Sequence, residues 1–154
     1  MKHFASLLLL MCCTIGQACT PSKGSNPDDK QESAVEVLTD ERFRQDVFDY
    51  VHETEWKFLG EKPVLIDFYA TWCGPCRRVA PIVAELAAAY KDQIVVYKVD
   101  TDQESNLAGA MGIRSLPTLV FIPLSGQPQV IVGAADKATL QRAIDEVLLG
   151  KKQP

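Results

Sequence analysis

The sequence predicts one α/β domain built on a mixed central sheet of about five strands with helices on both faces. Three observations carry that prediction. From Ala34 onward the apolar pattern switches repeatedly between the twofold period of strands and the helical period. The run 63–70, PVLIDFYA, is apolar on both parities apart from Asp67, as a strand covered on two faces is, and 94–99, IVVYKV, reads as a second buried strand. Two later apolar runs, at 118–122 and 128–132, frame the turn-forming segment 123–127 and predict a hairpin that closes one sheet edge. At 154 residues, 47% of them hydrophobic, the chain can bury one core but not two.

The elements follow in order. A short strand is expected at 34–38 (AVEVL), then a helix opened by Thr39-Asp40-Glu41, with Phe43, Val47, Phe48 and Val51 at helical spacing. The segment from His52 to Lys62 carries Trp56, Phe58 and Leu59 and is expected to pack as an extra turn before the central strand. A helix from Cys73 to Tyr90 places Val79, Ile82, Val83, Leu86 and Tyr90 on one side. After the strand at 94–99 comes a short helix around 102–110, then the hairpin, then a closing helix at 136–149. The order β-α-β-α-β-α-β-β-α requires parallel crossovers as well as the antiparallel hairpin, hence a mixed sheet.

Charge and cysteine placement narrow the function. Lys and Arg number 16 against 20 Asp and Glu, a net charge of −4, which argues against a nucleic-acid partner. Of five cysteines, Cys12, Cys13 and Cys19 lie near the N-terminus and only Cys73 and Cys76 in the body, so the chain does not read as a disulfide-stapled scaffold. Lys2 followed by an apolar run from Phe4 to Ile15, too short to span a bilayer, and then Gly16-Gln17-Ala18, reads as an export leader over residues 1–18. Cleavage after Ala18 would leave Cys19 first, a position resembling the lipidation site of bacterial lipoproteins. The alternative is an ordinary cleavage that leaves a free thiol. Residues 19–33 read as a flexible tether, because TPSKGSNPDDKQES contains no Val, Ile, Leu, Phe or Met to repay the entropy of ordering. The folded domain is assigned to 34–150.

The chemistry concentrates in Cys73-Gly74-Pro75-Cys76, where a buried strand turns into a helix. The unpaired N–H groups and partial positive charge of a helix N-terminus favour thiolate at Cys73, which makes it the candidate nucleophile. Cys76, one turn in and expected to be more shielded, suits the resolving role. Pro75 is preorganised for a helix start and Gly74 lets a partner chain approach. Structural zinc is disfavoured, because after the leader only His52 is left to join one cysteine pair, and His52 itself reads as a surface residue. Asp67, a carboxylate inside an apolar strand, is expected to have a raised pKa and to transfer protons near neutral pH. No metal, nucleotide or flavin motif is present, so no cofactor is expected.

Asp67-Phe68-Tyr69-Ala70-Thr71-Trp72-Cys73-Gly74-Pro75-Cys76 resembles the active-site segment of the thioredoxin family. Pro81 falls where that family has a helix-kinking proline, Ile113-Arg114-Ser115-Leu116-Pro117-Thr118 resembles its cis-proline segment, and Gly126 and Gly133-Ala134 match its late glycines. The resemblance covers about Val35 to Leu149 and implies the thioredoxin fold. It implies that Pro117 is cis, that the backbone of Leu116 pairs with a substrate strand, and that Trp72, Gly74, Pro75, Leu116, Gly133 and Ala134 line a shallow groove for an extended polypeptide. It places Asp67 beneath Cys76 and suggests a lysine on the next strand, for which Lys98 is the candidate if the register aims it inward.

The expected reaction is thiol–disulfide exchange on disulfide-containing proteins. The uncharged Gly-Pro between the cysteines adds no thiolate stabilisation, so a reductant is expected rather than an oxidase. Together with the leader, this reads as an exported, periplasmic protein-disulfide reductase, lipid-anchored through Cys19, monomeric and recharged by a membrane thiol reductant. A disulfide oxidase or isomerase, a cytochrome-maturation thiol reductase and a non-catalytic docking module are the alternatives.

Overall fold

The computed structural model describes residues 34–151, so the leader and tether readings, Cys12, Cys13 and Cys19 among them, lie outside the described residues. Five strands form one sheet in the order β1-β3-β2-β4-β5: β1 is Glu36–Val37, β2 Val64–Tyr69, β3 Val95–Asp100, β4 Thr118–Ile122 and β5 Gln129–Val132. β2 pairs in parallel with β3 and antiparallel with β4, and β5 folds back on β4 as the expected hairpin, turned at Gly126. The helices are α1 (Asp40–Asp46), α2 (Gly74–Ala89), α3 (Ser105–Ala110) and α4 (Lys137–Ala143).

The twofold alternation of the central strands divides the core between two faces. Leu65, Val96, Leu119 and Phe121 pack with Val79, Val83 and Leu86 of α2 and Leu140 of α4. Val64, Ile66, Phe68 and Val99 pack on the other face with Phe43 of α1 and Leu107 of α3. Each of these fully buried side chains contributes about 1.5–3 kcal/mol relative to exposure, so the two layers fix the sheet and with it the position of everything at the C-terminal end of β2.

The starts of α1 and α4 carry oxygen side-chain caps. Thr39 Oγ1 accepts the Arg42 N–H at 3.3 Å, and Asp136 Oδ1 accepts the Thr139 N–H at 2.8 Å. Pro81 sits inside α2, where its missing N–H removes one helical bond, and it lies on the exposed side, away from the core.

Several expectations are corrected. The first strand is only two residues long, since Leu38 already turns into the core ahead of the Thr39 cap. α1 stops at Asp46, so Val51 lies outside the helix and is exposed. The segment before β2 does turn and pack as expected, with Trp56 and Phe58 against the core and the Trp56 ring tilted against Phe48 at a centroid distance of 4.8 Å, while Leu59 is exposed. The short helix begins at Ser105 rather than 102, and the closing helix widens into a π-helical turn over Ile144–Leu148.

Candidate active site

The site stands where β2 ends. Cys73 caps α2: its Sγ accepts the backbone N–H of Cys76 at 3.2 Å, and its own N–H donates to the carbonyl of Ala70 at 3.1 Å. The helix of 16 residues therefore directs its N-terminal N–H groups at this sulfur, as the strand-to-helix reading required. Cys73 and Cys76 are joined by a disulfide with Cα atoms 5.3 Å apart, and with Ala70 they form a small apolar cluster against Tyr69 and Leu116.

The expected contrast between an open Cys73 and a shielded Cys76 is absent from their overall exposure, which is 4% and 3%. The two cysteines differ instead in what they face. Cys73 lines a groove of about 450 Å³ together with Trp72, Gly74, Pro75 and Leu116. Cys76 lines a second cavity of about 300 Å³ with Asp67, Ala80 and Lys98.

Trp72 is 69% exposed, an unusual position for the largest apolar side chain unless it serves as contact surface. It is held in place: its indole N–H donates to Asp102 Oδ2 at 2.8 Å. The loop carrying Asp102 is in turn stitched to the end of β2, because the N–H and hydroxyl of Thr101 both donate to the carbonyl of Tyr69, at 2.9 and 3.2 Å. The space above Gly74 is open, since an added Cβ there would meet only Arg77 Nη2 at 3.8 Å.

On the far side of the groove the Leu116–Pro117 peptide is cis, as the resemblance implied. Gly133 reaches this segment by donating its N–H to the Pro117 carbonyl at 2.8 Å, with a φ of 92° that a side chain would disfavour. Gly133 and Ala134 are not among the residues that line the groove; they lie beyond Pro117, at the end of β5. Thr118 ties the same turn down through its hydroxyl, which donates to the Ser115 carbonyl at 2.7 Å.

Asp67 is 4% exposed, and burial raises its pKa to about 6, with Lys98 pulling the other way. Its Oδ1 is buried with no hydrogen-bond partner among the described residues. Register answers the question about Lys98, which is the direct partner of Asp67 across β2 and β3 and so shares its face. His52 is on the surface, as expected, with its ring Nδ1 2.7 Å from Asp49.

Sequence reading missed Asp102, Thr101 and Arg114. The first two act across 30 and 32 residues of chain on Trp72 and Tyr69, and no local pattern announces such pairs. Arg114 stands out in sequence only as a member of the segment before Pro117, yet it lines the groove.

Comparison with known proteins agrees with this geometry. A thioredoxin family profile matches residues 34–146. The chain is 46% identical to a thioredoxin of Borreliella burgdorferi over 109 residues, 71% of this chain and 93% of that protein. It is 41% identical to thioredoxin 1 of Synechococcus elongatus, covering 75% of this chain and 99% of that one. Among solved structures, a thioredoxin of Malassezia sympodialis superposes with a TM-score of 0.59 at 37% identity, over 73% of this chain and 89% of that one. Chloroplastic thioredoxin z, at 24% identity and a TM-score of 0.62, is a likeness of fold, over 73% of this chain and 93% of that one. Taken with a Cys-Gly-Pro-Cys disulfide capping a helix at the end of the central strand, these matches establish that the chain belongs to the thioredoxin family and is a thiol–disulfide oxidoreductase.

Proposed function

We propose that this protein is an exported reductase of protein disulfides, held at a membrane through a lipid on Cys19 and acting on proteins of the same compartment. The observation that carries the catalytic part is the placement of Cys73 Sγ: it caps α2 and opens on the groove of Trp72 and Leu116, whereas Cys76 faces Asp67.

In the reduced protein, the Cys73 thiolate attacks one sulfur of a substrate disulfide and the other substrate sulfur leaves as a thiolate. Asp67 takes the proton of Cys76, whose thiolate attacks Cys73 in the mixed disulfide and releases the second substrate sulfur. The substrate gains two electrons; its two thiolates take up the proton that Asp67 releases and one from solvent, and the protein is left with the Cys73–Cys76 disulfide. A membrane thiol donor then returns the electrons. The backbone of Leu116 holds the substrate as an added strand, and Trp72, Gly74, Pro75 and the Pro117 turn, with Gly133 and Ala134 behind it, shape its bed. Export and anchoring are supported by the leader at 1–18, by Cys19 at the cleavage point and by the polar stretch that follows.

Two experiments test this reading. A Cys76→Ser variant expressed in cells should accumulate mixed disulfides between Cys73 and exported proteins; trapping only cytosolic proteins, or none, overturns the assignment. Mass spectrometry of the mature N-terminus should find an acylated Cys19, and an uncut leader or an unmodified Cys19 refutes the anchor.

A further inference from the structure

We propose that Arg114 selects the substrate: the groove prefers disulfides flanked by a carboxylate, which the guanidinium binds. The inference rests on the reductase reading and adds a substrate class to it.

Among the residues that line the groove, Arg114 alone is charged. It is exposed, and no hydrogen bond or ion pair to another described residue engages it. The other arginine close to the disulfide differs in this respect, because Arg77 donates to the carbonyl of Thr71 at 3.3 Å and lines the Cys76 cavity. Asp102, the carboxylate next to the groove residue Thr101, does not itself line the groove and is engaged by the indole of Trp72. The groove thus carries one positive side chain and no acidic one, in a chain whose overall charge is −4.

Position makes Arg114 selective rather than merely attractive. It lies two residues before Leu116 in the segment that ends in the cis peptide, and it shares the groove with Cys73. A polypeptide whose cysteine reaches Cys73 must run past the guanidinium, so a flanking Glu or Asp can form a charge-assisted, bidentate contact and a flanking Lys meets repulsion. The pair is solvent-exposed, so the effect is moderate and salt-sensitive.

The test uses two disulfide-linked peptides identical except for Glu or Lys beside the cysteine, and a third with Gln, with dithiothreitol as the electron donor. The readout is the ratio of kcat/KM for Glu over Lys within one protein, which cancels any change in folded fraction or intrinsic thiol reactivity. The wild-type ratio should be roughly three- to tenfold at low salt, falling towards one at 0.5 M salt. Arg114→Gln should bring it near one, and Arg114→Glu should invert it. A wild-type ratio of one, or a preference that survives Arg114→Glu, overturns the proposal. Failure of the wild type to reduce any of the three peptides would instead count against the reductase reading.

Discussion

Replacing Asp67 with Asn isolates the energetic consequence of burying a carboxyl under the disulfide. The pKa of Asp67 is raised from 3.8 to about 6 by burial, against the opposing pull of Lys98. The folded chain therefore holds this proton more tightly than the unfolded chain does. Well below pH 3.8 both states are protonated and there is no ionisation cost; as pH rises through 6 the folded state must ionise a buried group and loses stability. At roughly 1.4 kcal/mol per pH unit the loss amounts to about 3 kcal/mol above pH 7. Asn has no such ionisation, and its unpaired amide carries a cost that does not change with pH. Urea unfolding of the oxidised proteins between pH 3.5 and 8 should therefore show the difference in stability, variant minus wild type, growing by about 3 kcal/mol across that range and levelling above pH 7. A difference that is flat with pH refutes a raised Asp67 pKa. In the proposed reaction the same variant lacks the acceptor for the proton of Cys76, so its turnover at pH 7 should fall on the order of a hundredfold and lose the inflection near pH 6. Unchanged pH–rate behaviour would mean that the proton leaves by another path.

Other substitutions probe the groove and the frame. Trp72→Ala should raise KM for a polypeptide disulfide more than it lowers kcat, because it removes contact surface and leaves Cys73 in place; Asp102→Ala should shift KM in the same direction by less, and steady-state kinetics on insulin reads both. Phe43→Ala, at a fully buried position between α1 and the sheet, should cost about 3–5 kcal/mol by urea unfolding. Thr39→Ala removes the cap of α1 and should cost about 1 kcal/mol, measured in the same way.

Much of this architecture is readable from residues alone because it rests on local signals. β2 is recognisable from an apolar run interrupted only by Asp67, α2 from cysteine, glycine and proline at a strand end, and the hairpin from the turn-forming segment 123–127 between two β-rich segments. The cis peptide and Gly133 were reachable only through resemblance, since nothing in Leu-Pro by itself specifies cis. What the sequence conceals is long-range pairing. Lys98 faces Asp67 only because β3 lies in one register on β2, and a slip of one residue would send it to the other face. Trp72 and Asp102 meet because two strand ends are adjacent in space. The π-helical turn has a partial rationale in retrospect: Leu140, Ile144 and Leu148 recur every fourth residue, and a wider turn keeps that spacing on one buried face where a regular α-helix would drift.

The disulfide bridges two cavities, with Cys73 on the Trp72 groove and Cys76 on the Asp67 side, and this separates two kinds of traffic. In the proposed reaction a polypeptide lying against Trp72 and Leu116 would cover the sulfur it reacts with but not the cavity that Cys76 shares with Asp67. On that reading electrons would cross to the substrate on one side of the S–S axis while the proton moves on the other, so a bulky substrate could seal the groove against water without stranding the proton that the second step must release.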